Sequence, residues 1–142
     1  MSSWRGGKDA GGEPSVDAQL EDLFTKLSQA AEQGSHKRAL KCADDVLKIS
    51  PGDADAIRCR VTALIELQRF ADCAATIEKD VADDALRRDL AFERAYALYK
   101  CSKVDESLRI LQTETSQDER ESTRAMQLEA QLMHRAGLHG EA

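Results

Sequence analysis

The chain carries few side chains able to do chemistry, and their spacing excludes most of the reactions they could serve. Its three histidines are His36, His134 and His139. A metal-binding helix needs two imidazoles at i and i+4, on one face one turn apart. His134 and His139 miss that spacing by one residue, and His36 is isolated beside a turn glycine. Asp44-Asp45 and Asp83-Asp84 are adjacent carboxylates, which a helix points in different directions. The cysteines, Cys42, Cys59, Cys73 and Cys101, form no Cys-x-x-Cys pair and read as free thiols of a reducing compartment. Gly6-Gly7-Lys8-Asp9 lacks both the first glycine and the final Ser/Thr of a phosphate loop. No catalytic constellation, metal or cofactor is expected, so a binding protein rather than an enzyme is the reading.

The chemistry left is recognition. Aromatic and arginine side chains most often dominate interface energy. The only two tyrosines, Tyr96 and Tyr99, stand at i and i+3, with Phe92 one turn earlier. The protein has 142 residues, 20 Lys+Arg against 26 Asp+Glu, and a net charge of −6. That balance gives no bulk attraction for a phosphate backbone, and Arg87-Arg88 is hemmed in by Asp83, Asp84 and Asp89. No apolar run approaches the length of a membrane span, and Met1 to Pro14 resembles no signal peptide.

The elements that would position these residues are helical. Only 2 Pro and 8 Gly interrupt a composition rich in Ala, Leu, Glu, Lys and Arg. Apolar residues recur at helical spacing in Leu20, Leu23, Phe24, Leu27, Ala30 and Ala31, and again in Ala39, Leu40, Ala43, Val46 and Leu47. Ser50-Pro51-Gly52-Asp53 ends the second run. The spacing predicts helices near 17–32, 36–49, 54–67, 70–81, 86–101, 104–114 and 119–136, with another starting at 139. Residues 1–16, with four glycines and Pro14, are expected to be a disordered tail.

A period of 34 residues organises the rest. The turn regions GSHKRAL, QRFADCA and SKVDESL place Gly34, Gln68 and Ser102 at the turn. They place Ala39, Cys73 and Ser107 where two helices must approach closely. A 34-residue helix-turn-helix period with small residues at fixed places is the tetratricopeptide repeat. The expected fold is an all-α, right-handed solenoid of antiparallel helix pairs with about three and a half repeats. Residues 17–142 would hold repeats near 20–53, 54–87 and 88–121 and a partial one at 122–142. The fourth copy reads as having gained one residue, with its turn at Gly137 and its small position at Ala142. Met126, Ala130 and Met133 would then lack part of their cover, and the array is expected to be a fragment or shortened product of a longer protein.

The first helix of each pair lines the concave face of such an array, which usually receives a peptide or a partner helix. Helix register places Phe24, Ser28 and Ala31 there, then Arg58, Thr62 and Ile65, then Phe92, Tyr96 and Tyr99. Arg124, Gln127, Gln131 and His134 would follow in the fourth repeat. The partner-binding residues expected are Phe24, Arg58, Thr62, Phe92, Tyr96 and Tyr99. The aromatics would anchor apolar side chains, and Arg58 would take a carboxylate or a carbonyl. Chaperone-type carboxylate receptors use Lys, Asn and Arg at positions held here by Phe24, Ser28, Cys59, Asp89 and Glu93, so that role is disfavoured.

Three blocks carry a family resemblance: Arg38-Ala39-Leu40-Lys41, Ala56-Ile57-Arg58-Cys59-Arg60-Val61, and Phe92-Glu93-Arg94-Ala95-Tyr96 with Tyr99-Lys100. Together with the end LMHRAGLHGEA, they resemble the N-terminal repeats of the 72-kilodalton subunits of the signal recognition particle. The likeness covers about residues 17–142. It implies a cytoplasmic module, associated with the endoplasmic reticulum through the particle, that holds the C-terminal region of the 68-kilodalton subunit in co-translational targeting of secretory proteins to the endoplasmic reticulum. The lysine-rich RNA-binding stretch of that family has no counterpart here. The resemblance therefore implies only indirect association with the particle's RNA, and no membrane insertion. The alternative is a generic repeat scaffold in another cytosolic complex.

Overall fold

The computed structural model describes residues 15–140, with side chains through residue 137. The tail expected to be disordered over residues 1–16 lies outside the described residues up to residue 14, as does Ala142, while Ser15 and Val16 are ordered: Ser15 accepts from the Ala18 amide at 3.1 Å and Val16 opens the first helix. In chain order the elements are α1 (Val16–Glu32), α2 (His36–Ile49), α3 (Ala54–Glu66), α4 (Phe70–Asp80), α5 (Asp84–Asp89), α6 (Ala91–Lys100), α7 (Val104–Thr113), α8 (Gln117–Arg120) and α9 (Thr123–Gly140). Every described element is a helix, and the arrangement is the expected helical repeat solenoid. Three antiparallel pairs, α1–α2, α3–α4 and α6–α7, stack in sequence, with α9 packed on α7 as a fourth first helix.

The period is written into the backbone. Gly34, Gln68 and Ser102 all adopt left-handed φ, at 69°, 61° and 65°. In each turn the following amide reaches back to the carbonyl five residues earlier: Ser35 to Ala30, Arg69 to Leu64, and Lys103 to Leu98. This doubly bonded turn satisfies carbonyls that a helix end leaves open. The second helices then start at His36, Phe70 and Val104, one period apart. Three other helix starts are capped by side chains: Asp53 accepts from the Ala56 amide, Asp83 from Leu86 and Ser116 from Glu119.

The predicted small positions, Ala39, Cys73 and Ser107, are all buried. The Ser107 hydroxyl also donates to the Ala95 carbonyl at 2.6 Å, which satisfies a polar group inside the pair. One continuous core runs through the array, from Leu27 and Ala30 through Ile57, Val61 and Leu64 to Ile110, Leu128 and Leu132.

Two expected helices are broken. The run predicted at 86–101 is divided at Leu90, whose φ and ψ are −98° and 8°. The Leu90 amide bonds both the Leu86 and Arg88 carbonyls, tightening the end of α5, and the bend buries Leu86, Leu90 and Ala91 together. The run predicted at 119–136 becomes α8 and α9, because Ser122 caps a new start through the Ala125 amide. The expected turn at Gly137 and new helix at 139 are absent: α9 continues through Gly137 to Gly140. A single glycine costs a helix only about 1 kcal/mol against alanine. Nor did this copy gain a residue. Ala125, Leu128 and Leu132 are buried one period after Ala91, Arg94 and Leu98.

Candidate functional site

The exact period aligns the first helices into rows. Phe24, Arg58, Phe92 and Met126 form one row; Ser28, Thr62, Tyr96 and Ala130 the next; Ala31, Ile65, Tyr99 and Met133 the third. The expected binding residues all lie in these rows, and the structure gathers five of the six into two groups.

Arg58 and Thr62 line a small pocket of about 210 Å³ between α1 and α3, with Leu27, Ala31, His36 and Cys59. It is mostly apolar, and its size suits one aliphatic side chain. Arg58 is not free at its rim. Its guanidinium donates to Asp89 at 3.0 Å, so a partner's carboxylate would have to displace an internal one. Both groups are exposed, so the pair is weakly held. His36, on the far wall, lies 3.7 Å from the Glu66 carboxylate. Burial pushes the Cys59 thiol up, helped by Asp55, so it is a packing group rather than a nucleophile. Phe24 is half-buried one period before Arg58 and lines neither group.

Phe92, Tyr96 and Tyr99 form the second group, on α6. Phe92 stacks on Tyr96 with ring centres 6.2 Å apart. Phe70, from the start of α4, meets Tyr96 edge-on at 5.9 Å. Such edge and offset geometries suit the ring quadrupoles. Cations cover the cluster. The Lys100 ammonium lies 6.0, 5.6 and 5.9 Å from the centres of Phe70, Tyr96 and Tyr99. From α9, Arg124 lies 4.0 Å over Phe92 and Arg135 lies 5.3 Å from Tyr99. Phe92 and Tyr99 are therefore partly covered by the next helix of the array.

Arg124 is fixed from both sides. It bonds Glu119 and reaches Glu93 at 3.1 Å. The hydrogen bond to Glu119 raises the Arg124 pKa and holds the Glu119 carboxyl below its usual range. Met126 and Met133, one period after Phe92 and Tyr99, have no such cover and are 59% and 55% exposed.

Sequence reasoning missed the contributions of Phe70, Lys100 and Arg135. Phe70 was legible only as an apolar residue near a turn. The cations carry no pattern, because their position depends on how α9 lies beside α6. A second feature was also missed, a groove of about 830 Å³ between α2 and α4. Its charges pair with one another, Asp45 with Lys41 and Lys48, and Asp44 with Arg60. Among the described residues, no group of three or more His, Cys, Asp or Glu side chains could hold a metal ion, and no helix is long and apolar enough to cross a membrane. The described cysteines are free thiols. This geometry offers rings, a small apolar pocket and a few cations. Rings, apolar pockets and cations are the groups that protein interfaces use.

The chain is similar to known proteins along most of its length. The chain is 25% identical over 118 residues to the signal recognition particle subunit SRP72 of Schistosoma mansoni, covering 83% of this chain and 16% of that protein. It is 27% identical over 116 residues to SRP72 of Dictyostelium discoideum, covering 82% and 16%. It is 28% identical over 116 residues to SRP72 of Caenorhabditis elegans, covering 82% and 17%. The chain thus spans about a sixth of the length of these relatives. Residues 32–142 match the model of the TPR-like repeat family SRP_TPR_like, which covers every helix from α2 onward. The chain belongs to the SRP_TPR_like family of TPR-like repeats.

Proposed function

We propose that this chain is a protein-binding repeat module of the signal recognition particle, working without catalysis. It would act as the corresponding segment of an SRP72 subunit and hold the C-terminal region of the 68-kilodalton subunit, in the cytoplasm, during targeting of secretory proteins to the endoplasmic reticulum. The observation that carries this is the likeness to SRP72 subunits from three distant organisms over more than four-fifths of the chain. The paired recognition groups on the first helices, one apolar pocket and one aromatic cluster, support a segment lying along that face. The net charge of −6 supports contact with protein rather than direct contact with RNA.

Co-purification tests the proposal. The chain is mixed with the tagged C-terminal region of the 68-kilodalton subunit of the same organism, free of RNA. A one-to-one complex on size exclusion is expected, with no retention of particle RNA by the chain alone. Separate elution of two folded samples would contradict the reading.

A further inference from the structure

Half of the described lysines and arginines pair with the chain's own carboxylates. Arg58 holds Asp89, Arg60 holds Asp44, Arg94 holds Glu78 and Glu114, and Arg124 holds Glu119 and Glu93. Among the unpaired ones, Lys100 and Arg135 are set apart by their position against aromatic rings. Both touch the rings of the α6 cluster, both reach Tyr99, and neither forms an ion pair among the described residues. They come from different helices, α6 and α9, and meet at one ring. Asp89 and Glu93, the acidic residues expected to repel a carboxylate, are each neutralised by an arginine. They also lie at the N-terminal side of α6, away from Lys100 at its last position.

We propose that Phe70, Tyr96 and Tyr99 with Lys100 and Arg135 form a docking platform for an acidic, aliphatic protein segment. This rests on the protein-binding reading above and adds the chemistry of the bound segment. One aliphatic side chain lies on the Phe70–Tyr96 edge, and a neighbouring carboxylate accepts hydrogen bonds from Lys100 and Arg135. The rings exclude water on one side of those cations, which strengthens a charge-assisted hydrogen bond made there. Charge complementarity selects the occupant. The chain is acidic overall, so it repels a polyanion at long range, yet it offers two unpaired cations at one spot. A segment with one or two carboxylates fits that combination, and an RNA does not.

The test uses the whole chain and two synthetic probes, a fluorescent peptide of alternating Leu and Asp/Glu, and its Asn/Gln counterpart. The acidic peptide is expected to bind about tenfold tighter than the amide peptide, falling steeply with salt. Lys100→Gln with Arg135→Gln should abolish that preference, while Lys103→Gln, on the adjacent turn, should preserve it. Equal binding of the two peptides, a preference that survives the double substitution, or tighter binding of single-stranded oligouridylate would overturn the proposal. A parallel titration uses the C-terminal region of the 68-kilodalton subunit. If it binds wild type and double variant alike, the platform fails and the partner reading stands. If the acidic preference holds and that partner does not bind, the partner reading fails and the platform stands.

Discussion

Arg60 and Arg94 stand one period apart, and each reaches from the first helix of a repeat back to an acid on the preceding second helix, Asp44 and Glu78, also one period apart. Arg60 also donates to the Thr76 hydroxyl at 3.1 Å. Arg94 bonds Glu114 at 3.3 Å as well, and the residue is only 6% exposed. One period after Glu78, Gln112 donates to Glu129, the residue next to the one that follows Arg94 by a period, at 3.0 Å. A polar rung therefore ties each repeat to the next, on the side of the array away from the aromatic cluster.

The rung predicts an asymmetry between two substitutions at Arg94. Arg94→Ala leaves Glu78 and Glu114 facing each other over a cavity and should cost roughly 3 kcal/mol. Arg94→Leu should cost somewhat less, roughly 2 kcal/mol, because leucine fills much of that cavity but leaves the same two carboxylates without their cation. Where Leu128 is buried one period after Arg94, at 3% exposure, the position one period after Glu78 is the neutral Gln112. Urea unfolding of the two variants followed by circular dichroism measures both values.

The turns supply a second prediction. Gln68 and Ser102 hold left-handed φ that costs a residue with a Cβ about 1 kcal/mol, whereas Gly34 does not pay it. Gln68→Gly and Ser102→Gly should each raise stability by roughly 0.5–1 kcal/mol. Gly34→Ala should lower it by about 1 kcal/mol, although nothing stands within 4 Å of the added methyl. Thermal melts of the three variants distinguish conformational strain from contact.

Those turns also show what the sequence made legible. The period, the small positions and the first four helices could be read because a repeat presents the same constraint three times over. The breaks at Leu90 and Ser122 could not. Each depends on local hydrogen bonds that compete with a continuous helix, and neither site carries Pro or Gly as a marker. Gly137 misled for the opposite reason. It looked like Gly34, but one period after Ser102 stands Ala136, and no turn forms there. Of the candidate site, the α6 aromatics were legible from spacing and were found in one cluster. The Asp89 contact that occupies Arg58 joins residues far apart in sequence and left no pattern to read.

Cys73 gives a pH prediction. Burial, reinforced by Glu93, pushes its thiol up to about 12. The unfolded chain ionises this thiol near the ordinary value of 9.0 while the folded chain keeps its proton. The folded state then binds more protons, so stability should fall as pH rises from the ordinary thiol range toward the folded value. Cys73→Ala should remove that part of the alkaline loss. Thiol labelling of the native protein should spare Cys73 until the chain unfolds, as peptide mapping of the labelled sites would show.

Asp89 acts as an internal competitor for Arg58. Asp89→Asn should free the guanidinium and tighten binding of a partner that uses it by about twofold to fivefold, within the worth of an exposed ion pair. Arg58→Ala should weaken the same partner. Isothermal titration of both variants decides the matter, and unchanged affinity in both would remove Arg58 from the binding face.

The central claim is that the first-helix face holds a segment of the 68-kilodalton subunit. Calorimetric titration of the chain with the C-terminal region of that subunit from the same organism tests it most directly. The account predicts one-to-one binding, weakened by roughly 2 kcal/mol in Tyr96→Ala, the ring at the centre of the cluster. A helical, folded sample that releases no heat and shows no binding, or an affinity indifferent to Tyr96, would contradict it.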